Sequence, residues 1–239
     1  MQRSIVSSIL AGPNVSVCAF VCAACLIGCK ADNGKADPGI SSQITIQQPV
    51  TAQVPDGRPV IVCFGDSLTA GLGTDPGQSY PDVLQKILDA ADYPYRVVNE
   101  GISGNTTKDG LDRIGRVLAL NPALVVVEFG GNDGLRGLPL EQTKSNLASI
   151  IEQLQASRTK VALAGITLPP DYGPDYIAKF NAMYPTIAKQ YHVPMLPFLL
   201  QGVYGVPGDM QDDQIHATAQ GNKQVAANVA GLIEPLLKH

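Results

Sequence analysis

The chain is poor in several features that would direct its reading elsewhere. Only 16% of its 239 residues are charged, and no long block of one sign occurs, so nothing in the charge points to nucleic acid as a partner. Of its five cysteines, Cys18, Cys22, Cys25 and Cys29 crowd into the N-terminal segment, which leaves Cys63 alone in the body. An internal disulfide is thereby excluded from the body, and Cys63 reads as filler of a buried strand rather than a catalytic thiol. The N-terminal cysteines sit among Ala, Val and Phe, surroundings that suit small apolar residues and not a metal site. The apolar stretch Val15 to Gly28 is too short for a comfortable membrane span and is preceded by Pro13 and Asn14. No internal repeat is visible. Only three histidines are present, which narrows any search for a general base.

What is there divides into three parts. Residues 1–28 carry a single charge, Arg3, followed by the apolar stretch, and read as a secretory signal. Its end, Leu26-Ile27-Gly28-Cys29, resembles a bacterial lipobox, which makes Cys29 the expected lipidated first residue of an exported, periplasmic, membrane-anchored protein. Residues 29–58 are rich in Asp, Gly, Gln, Ser and Pro without sustained periodicity, the composition of a flexible tether. Residues 59–239 are left as one ordinary globular domain.

From Pro59 onward short apolar runs alternate with helical patterns. Strands are expected at about 60–64, 95–99, 123–129, 160–166 and 193–196, with helices at about 80–91, 107–120, 140–157, 175–191 and 218–237. Strict alternation of this kind builds βαβ units, a parallel sheet and helices on both faces. The fold class is therefore α/β, a three-layer α/β/α domain on five parallel strands, and the expected arrangement is flavodoxin-like with strand order 2-1-3-4-5. Ser67 falls just past the apolar strand "VIVCF", at the carboxyl edge where open α/β sheets bind their ligands. Gly65, Asp66 and Ser67 would also serve as plain turn residues capping the next helix. The loops 134–139 and 168–176 follow strands on that same edge. They offer Leu135, Leu138, Leu168, Pro169 and Tyr172 as walls of a substrate pocket.

Four segments sit at strand ends or near the C-terminus in this order: "FGDSLTAG", "NEGISGNTT", "EFGGNDG" and "QDDQIHATAQG". Together they resemble the diagnostic blocks of the SGNH/GDSL hydrolase family, with local similarity to its bacterial periplasmic acyl-CoA thioesterase, lysophospholipase and arylesterase group. The resemblance spans residues 59–239. A serine hydroxyl is a poor nucleophile until a neighbouring base takes its proton, and that base needs a third group to hold its tautomer. Of the histidines, His239 ends the chain and is expected to fray. His192 lies between helix and strand toward the opposite edge, so His216 remains. Asp213 and Asp212 both precede it. A three-residue spacing returns a carboxylate alongside the ring in a turn, and the family's Asp-x-x-His spacing falls on Asp213.

The resemblance further implies an oxyanion hole formed by the N–H groups of Ser67 and Gly104 and the amide of Asn132. The implied activity is hydrolysis of acyl esters or thioesters through a Ser67-Asp213-His216 triad, with no cofactor and no metal. Two departures from the family pattern stand in the last block, where Gln214 replaces a frequent glycine and Ala217 a frequent proline. A carbohydrate O-acetyl esterase is the rival enzyme, distinguished by an open polar cleft instead of an apolar channel. A flavodoxin-like binding lipoprotein is the rival outside catalysis, and it would need a phosphate-cradling loop where Gly-Asp-Ser-Leu puts a carboxylate.

Overall fold

Five parallel strands, each leaving the sheet at the same edge, set the geometry of the computed structural model, which describes residues 57–239. The signal, Cys29 and nearly all of the tether lie outside the described residues. Strand β1 (Val60–Gly65) and strand β3 (Leu124–Glu128) are buried along their whole length, which is why both read as continuous apolar runs. They pair with each other, and β2 (Arg96–Gly101), β4 (Lys160–Ala164) and β5 (Met195–Leu196) complete the order β2-β1-β3-β4-β5. Register aligns Phe64 with Glu100 and Gly65 with Gly101, so the first two strands end together.

Between the strands run α1 (Ser67–Ala70), α2 (Tyr80–Ala90), α3 (Thr107–Asp112), α4 (Ile114–Leu118), α5 (Gly131–Leu135), α6 (Leu140–Ala156), α7 (Pro174–Tyr191) and α8 (Gly221–Ile233). Helices α2 and α8 pack together, as do α6 with α3 and α7, and both α6 and α8 touch β4. The result is a helical layer on each face of the sheet. Capping boxes start two of these helices: Ser79 with Asp82 opens α2, and Thr106 with Asp109 opens α3. Among the described residues no helix is long and apolar enough to cross a membrane.

The structure departs from the expected helix 107–120 by breaking it at Arg113, whose backbone leaves helical geometry at φ −105° and ψ 10°. Gly110 and Gly115 flank the break and propagate a helix weakly. The Arg113 side chain is also claimed elsewhere. Its guanidinium donates to Gly65 O (2.8 Å), Glu100 O (3.0 Å) and Asn105 Oδ1 (2.8 Å) and lies 4.5 Å over the Phe64 ring. One side chain thus ties the ends of β1 and β2 to the loop that follows β2. The last helix is likewise shorter than expected, running 221–233, with Pro235 in the 3-10 turn beyond it.

Gly101 is required by a close approach. A Cβ there would run into the backbone of Thr69 and Ala70, so α1 crosses the end of β2 only because nothing projects from it.

Candidate active site

Ser67 opens a single helical turn at the end of β1, and the turn is capped by the residue before it: Asp66 Oδ1 accepts the Leu68 N–H at 3.1 Å. Across the site, the loop before α8 presents His216. Its Nε2 lies 2.8 Å from Ser67 Oγ, and its Nδ1 lies 2.6 Å from Asp213 Oδ2. The other oxygen of Asp213 accepts the N–H groups of Ile215 (2.9 Å) and His216 (3.0 Å), so the carboxylate that meets the ring is itself fixed by the turn. Partial burial opposes ionisation of Asp213. Hydrogen bonds from the His216 ring and from these two N–H groups outweigh it and hold the carboxyl below its ordinary range.

The loop that carries this pair is braced where the family pattern would have proline and glycine. Met210 and Ala217 form an antiparallel bridge, and Gln211 N donates to His216 O at 2.8 Å. Gln211 Nε2 donates to Ala217 O (2.9 Å) and across to Leu72 O (2.7 Å), stapling the loop to the segment after Ser67. Gln214 sits at φ 57°, the left-handed region where glycine is at ease.

Asn132 opens into the same space from α5, and its Nδ2 donates to Asp66 Oδ2 and to Asn105 O, each at 3.0 Å. Gly104, at φ 81°, turns the loop after β2, and Arg136 Nη2 donates to its carbonyl at 2.9 Å. Gly104 is not among the residues that wall the cleft; it is joined to them through its neighbour Asn105.

The cleft, about 680 Å³ with its open mouth included, has Ser67, Asn132 and His216 at one end. Leu135, Ile166, Leu168 and Pro169 form one wall, and Phe198, Leu200 and Tyr204 another. Leu138 stands outside the wall at 37% exposure. Tyr172 also stands outside it, donating from its hydroxyl to Leu135 O at 2.8 Å and so bracing the wall from behind. Phe198, Leu200 and Tyr204 were missed in the sequence although "PFLLQGVYG" follows β5 on the functional edge. That run has no periodicity to mark it.

The remaining candidates separate plainly. His192 ends α7 in the left-handed region and leads into β5, at the amino edge. His239, expected to fray, instead stacks on Tyr93 with ring centroids 4.2 Å apart. Cys63 is buried, and burial pushes its thiol up to about 12, so it is inert. Among the described residues no three His, Cys, Asp or Glu side chains gather as a metal site.

A second carboxyl lies beneath the Ser67 turn, and one sign of it is legible in sequence: an acid closing the apolar strand "LVVVE". Glu128 is fully buried, and its Oε2 accepts the Asp66 N–H (3.3 Å) and the Thr69 hydroxyl (2.8 Å). Burial, then the nearby Asp66, pushes it well above the ordinary carboxylate range. Burial also raises Asp66, to about 6, against the hydrogen bonds from Leu68 and Asn132.

A hydroxyl, an imidazole and a carboxylate stand in line on this sheet edge and open on an apolar cleft, an arrangement able to activate the hydroxyl for attack on an acyl carbon. Comparison with known proteins agrees. The GDSL-like Lipase/Acylhydrolase family matches residues 63–224. Esterase TesA of Pseudomonas aeruginosa is 46% identical over 178 residues, covering 74% of this chain and 89% of that protein. Thioesterase 1/protease 1/lysophospholipase L1 of Escherichia coli K12 is 38% identical over 180 residues, covering 75% and 85%. The crystal structure of TesA superposes with a TM-score of 0.72, covering 74% of this chain and 99% of that one. That of AlinE4, an SGNH-hydrolase family esterase 38% identical to this chain, gives 0.63 over 76% and 98%. The chain belongs to the GDSL-like lipase/acylhydrolase family.

Proposed function

We propose that the protein is a serine esterase for apolar acyl esters and thioesters in which Ser67 is the nucleophile, His216 its base and Asp213 the group that orients the ring. The observation that carries this is the unbroken line from Ser67 Oγ through both ring nitrogens to Asp213, set at the mouth of an apolar cleft. In this mechanism His216 Nε2 takes the hydroxyl proton as Oγ attacks the acyl carbon, and the same proton then passes to the departing alcohol or thiol. Water, deprotonated by the same nitrogen, splits the acyl-enzyme and regenerates Ser67. Negative charge on the carbonyl oxygen falls to the N–H groups of Ser67 and Gly104 and the amide of Asn132. The names of the relatives, which include esterase, thioesterase, lysophospholipase and arylesterase, support both leaving-group chemistries. The apolar wall favours acyl chains over sugar acetates.

The test is a series of p-nitrophenyl esters of increasing chain length, with palmitoyl-CoA and a lysophospholipid alongside. A buried CH₂ contributes about 0.8 kcal/mol, so kcat/KM should rise about fourfold per added carbon until the cleft is filled. Leu168→Ser and Phe198→Ser should flatten that rise while leaving acetyl ester turnover within about threefold. A flat series in the parent, or an unchanged slope in both variants, would place the acyl site elsewhere.

The sequence also supports an exported protein of three parts: a signal over 1–28, a tether over 29–58 anchored through a lipid on Cys29, and the hydrolase domain over 59–239. One acyl chain binds membranes only marginally, whereas several hold stably. In the native host, Cys29→Ala should release the enzyme from the membrane fraction or stall its processing. Unchanged fractionation together with unchanged mature mass would refute the anchor.

A further inference from the structure

Beneath the Ser67 turn lie two buried carboxyls, Asp66 and Glu128, that the proposed mechanism leaves unused. The oxygens of Asp66 have separate partners: Oδ1 caps α1 through the Leu68 N–H, and Oδ2 accepts from Asn132 Nδ2 at 3.0 Å. Capping explains only the first. Ser or Asn caps a helix as well as Asp does, and neither places a charge in the interior. At 2% exposure the Asp66 carboxyl is costly to ionise, and burial raises it accordingly. Its second oxygen is therefore the part that a capping role does not explain.

That oxygen fixes an amide that lines the cleft. Asn132 Nδ2 has two hydrogens and two acceptors, Asp66 Oδ2 and Asn105 O, both at 3.0 Å. The amide plane is thus pinned between the end of β1 and the loop after β2. Beneath it, the Asp66 N–H donates to Glu128 Oε2 at 3.3 Å. Burial, then the nearby Asp66, pushes Glu128 well above the ordinary carboxylate range, and its Oε2 anchors the Asp66 backbone.

We propose that Asp66 is a positioning residue for the oxyanion donor Asn132. Its Oδ2 retains one amide hydrogen, so that the other, resting on the Asn105 carbonyl, is shared with the substrate oxygen as charge develops there. The proposal rests on the serine-esterase reading. A carboxylate so placed opposes the oxyanion but favours the imidazolium of His216, and the two charges arise in the same step. The two effects oppose each other, and the contribution assigned to Asp66 is a donor held in place before the reaction begins.

Asp66→Ser separates the two duties, because its hydroxyl still caps α1 and is too short to reach Asn132. On a short p-nitrophenyl ester kcat should fall ten- to a hundredfold with KM within about threefold, and Tm should shift by no more than a few degrees. Asn132→Ala sets the scale at about a hundred- to a thousandfold in kcat. In that background Asp66→Ser should cost less than about threefold further, since the residue acts through a side chain no longer present. The shape-conserving Asp66→Asn carries the same cycle if the serine variant does not fold. A folded Asp66→Ser enzyme with kcat within threefold of the parent would overturn the proposal. So would an effect repeated in full in the Asn132→Ala background, which would mark Asp66 as structural only. Activity surviving in Ser67→Ala would refute the esterase reading itself, and that variant is measured separately.

Discussion

Ser67→Ala is expected to lower kcat for a short p-nitrophenyl ester by about 10⁴- to 10⁶-fold, and His216→Ala by a similar factor. The hydroxyl and Nε2 are 2.8 Å apart, and in the proposed mechanism each acts only through the other. The double variant should therefore cost less than about tenfold beyond either single one, where independent contributions would multiply. The catalysis left over would come from the oxyanion donors and from binding in the cleft. Both variants should keep the parent's far-UV circular dichroism, because neither side chain belongs to the apolar core. A serine-directed phosphonate, read by peptide mass, should label Ser67 and no other serine. Retention of more than about one per cent of kcat in Ser67→Ala would overturn the assignment. So would labelling at Ser79, which caps α2, or at Ser103.

The parts of this architecture that are legible in sequence are those with a physical reason to be repetitive. Strands β1 and β3 are covered on both faces, so every position is apolar, and their ends mark the functional edge to within a residue. Ser67 stands out because it follows such a run at once. His216 stands out because the other histidines fall at the chain end and the amino edge. The Asp213 spacing is legible because a turn is local: Oδ1 meets N–H groups two and three residues on.

What escapes the sequence depends on contacts made across the fold. Helices α1 and α5 are too short to show a period, though α5 carries Asn132. The break at Arg113 is imposed by carbonyls of β1 and β2, one of them 48 residues earlier in the chain. The wall formed by Phe198, Leu200 and Tyr204 belongs to an irregular segment, and strand β5 before it spans only two residues. The pairing of Asp66 with Glu128 is a matter of register between β1 and β3, invisible until the strands are laid side by side. Gln214 in a left-handed turn would have been read as strain. Its loop tolerates it because Gln211 binds that loop on two sides.

Asp213→Asn is the second change expected to have a very large effect, about 10⁴-fold in kcat with KM little altered. The asparagine can keep its oxygen on the Ile215 and His216 N–H groups, so the turn survives. An NH₂ group then replaces the oxygen that lay 2.6 Å from Nδ1. That donor can be satisfied only if Nδ1 offers a lone pair, which moves the ring proton to Nε2 and turns an N–H toward Ser67 Oγ. A base so protonated cannot take the serine proton. Stability gives an independent readout. The Asp213 carboxyl is lowered in the folded protein, so its contribution to stability is complete above the ordinary carboxylate range, near pH 3.9, and disappears as pH falls through the lowered value. The Tm gap between parent and variant should accordingly be widest at neutral pH and close as the solution is acidified below that range. Turnover within about tenfold of the parent would show that Asp213 does not set the tautomer of His216.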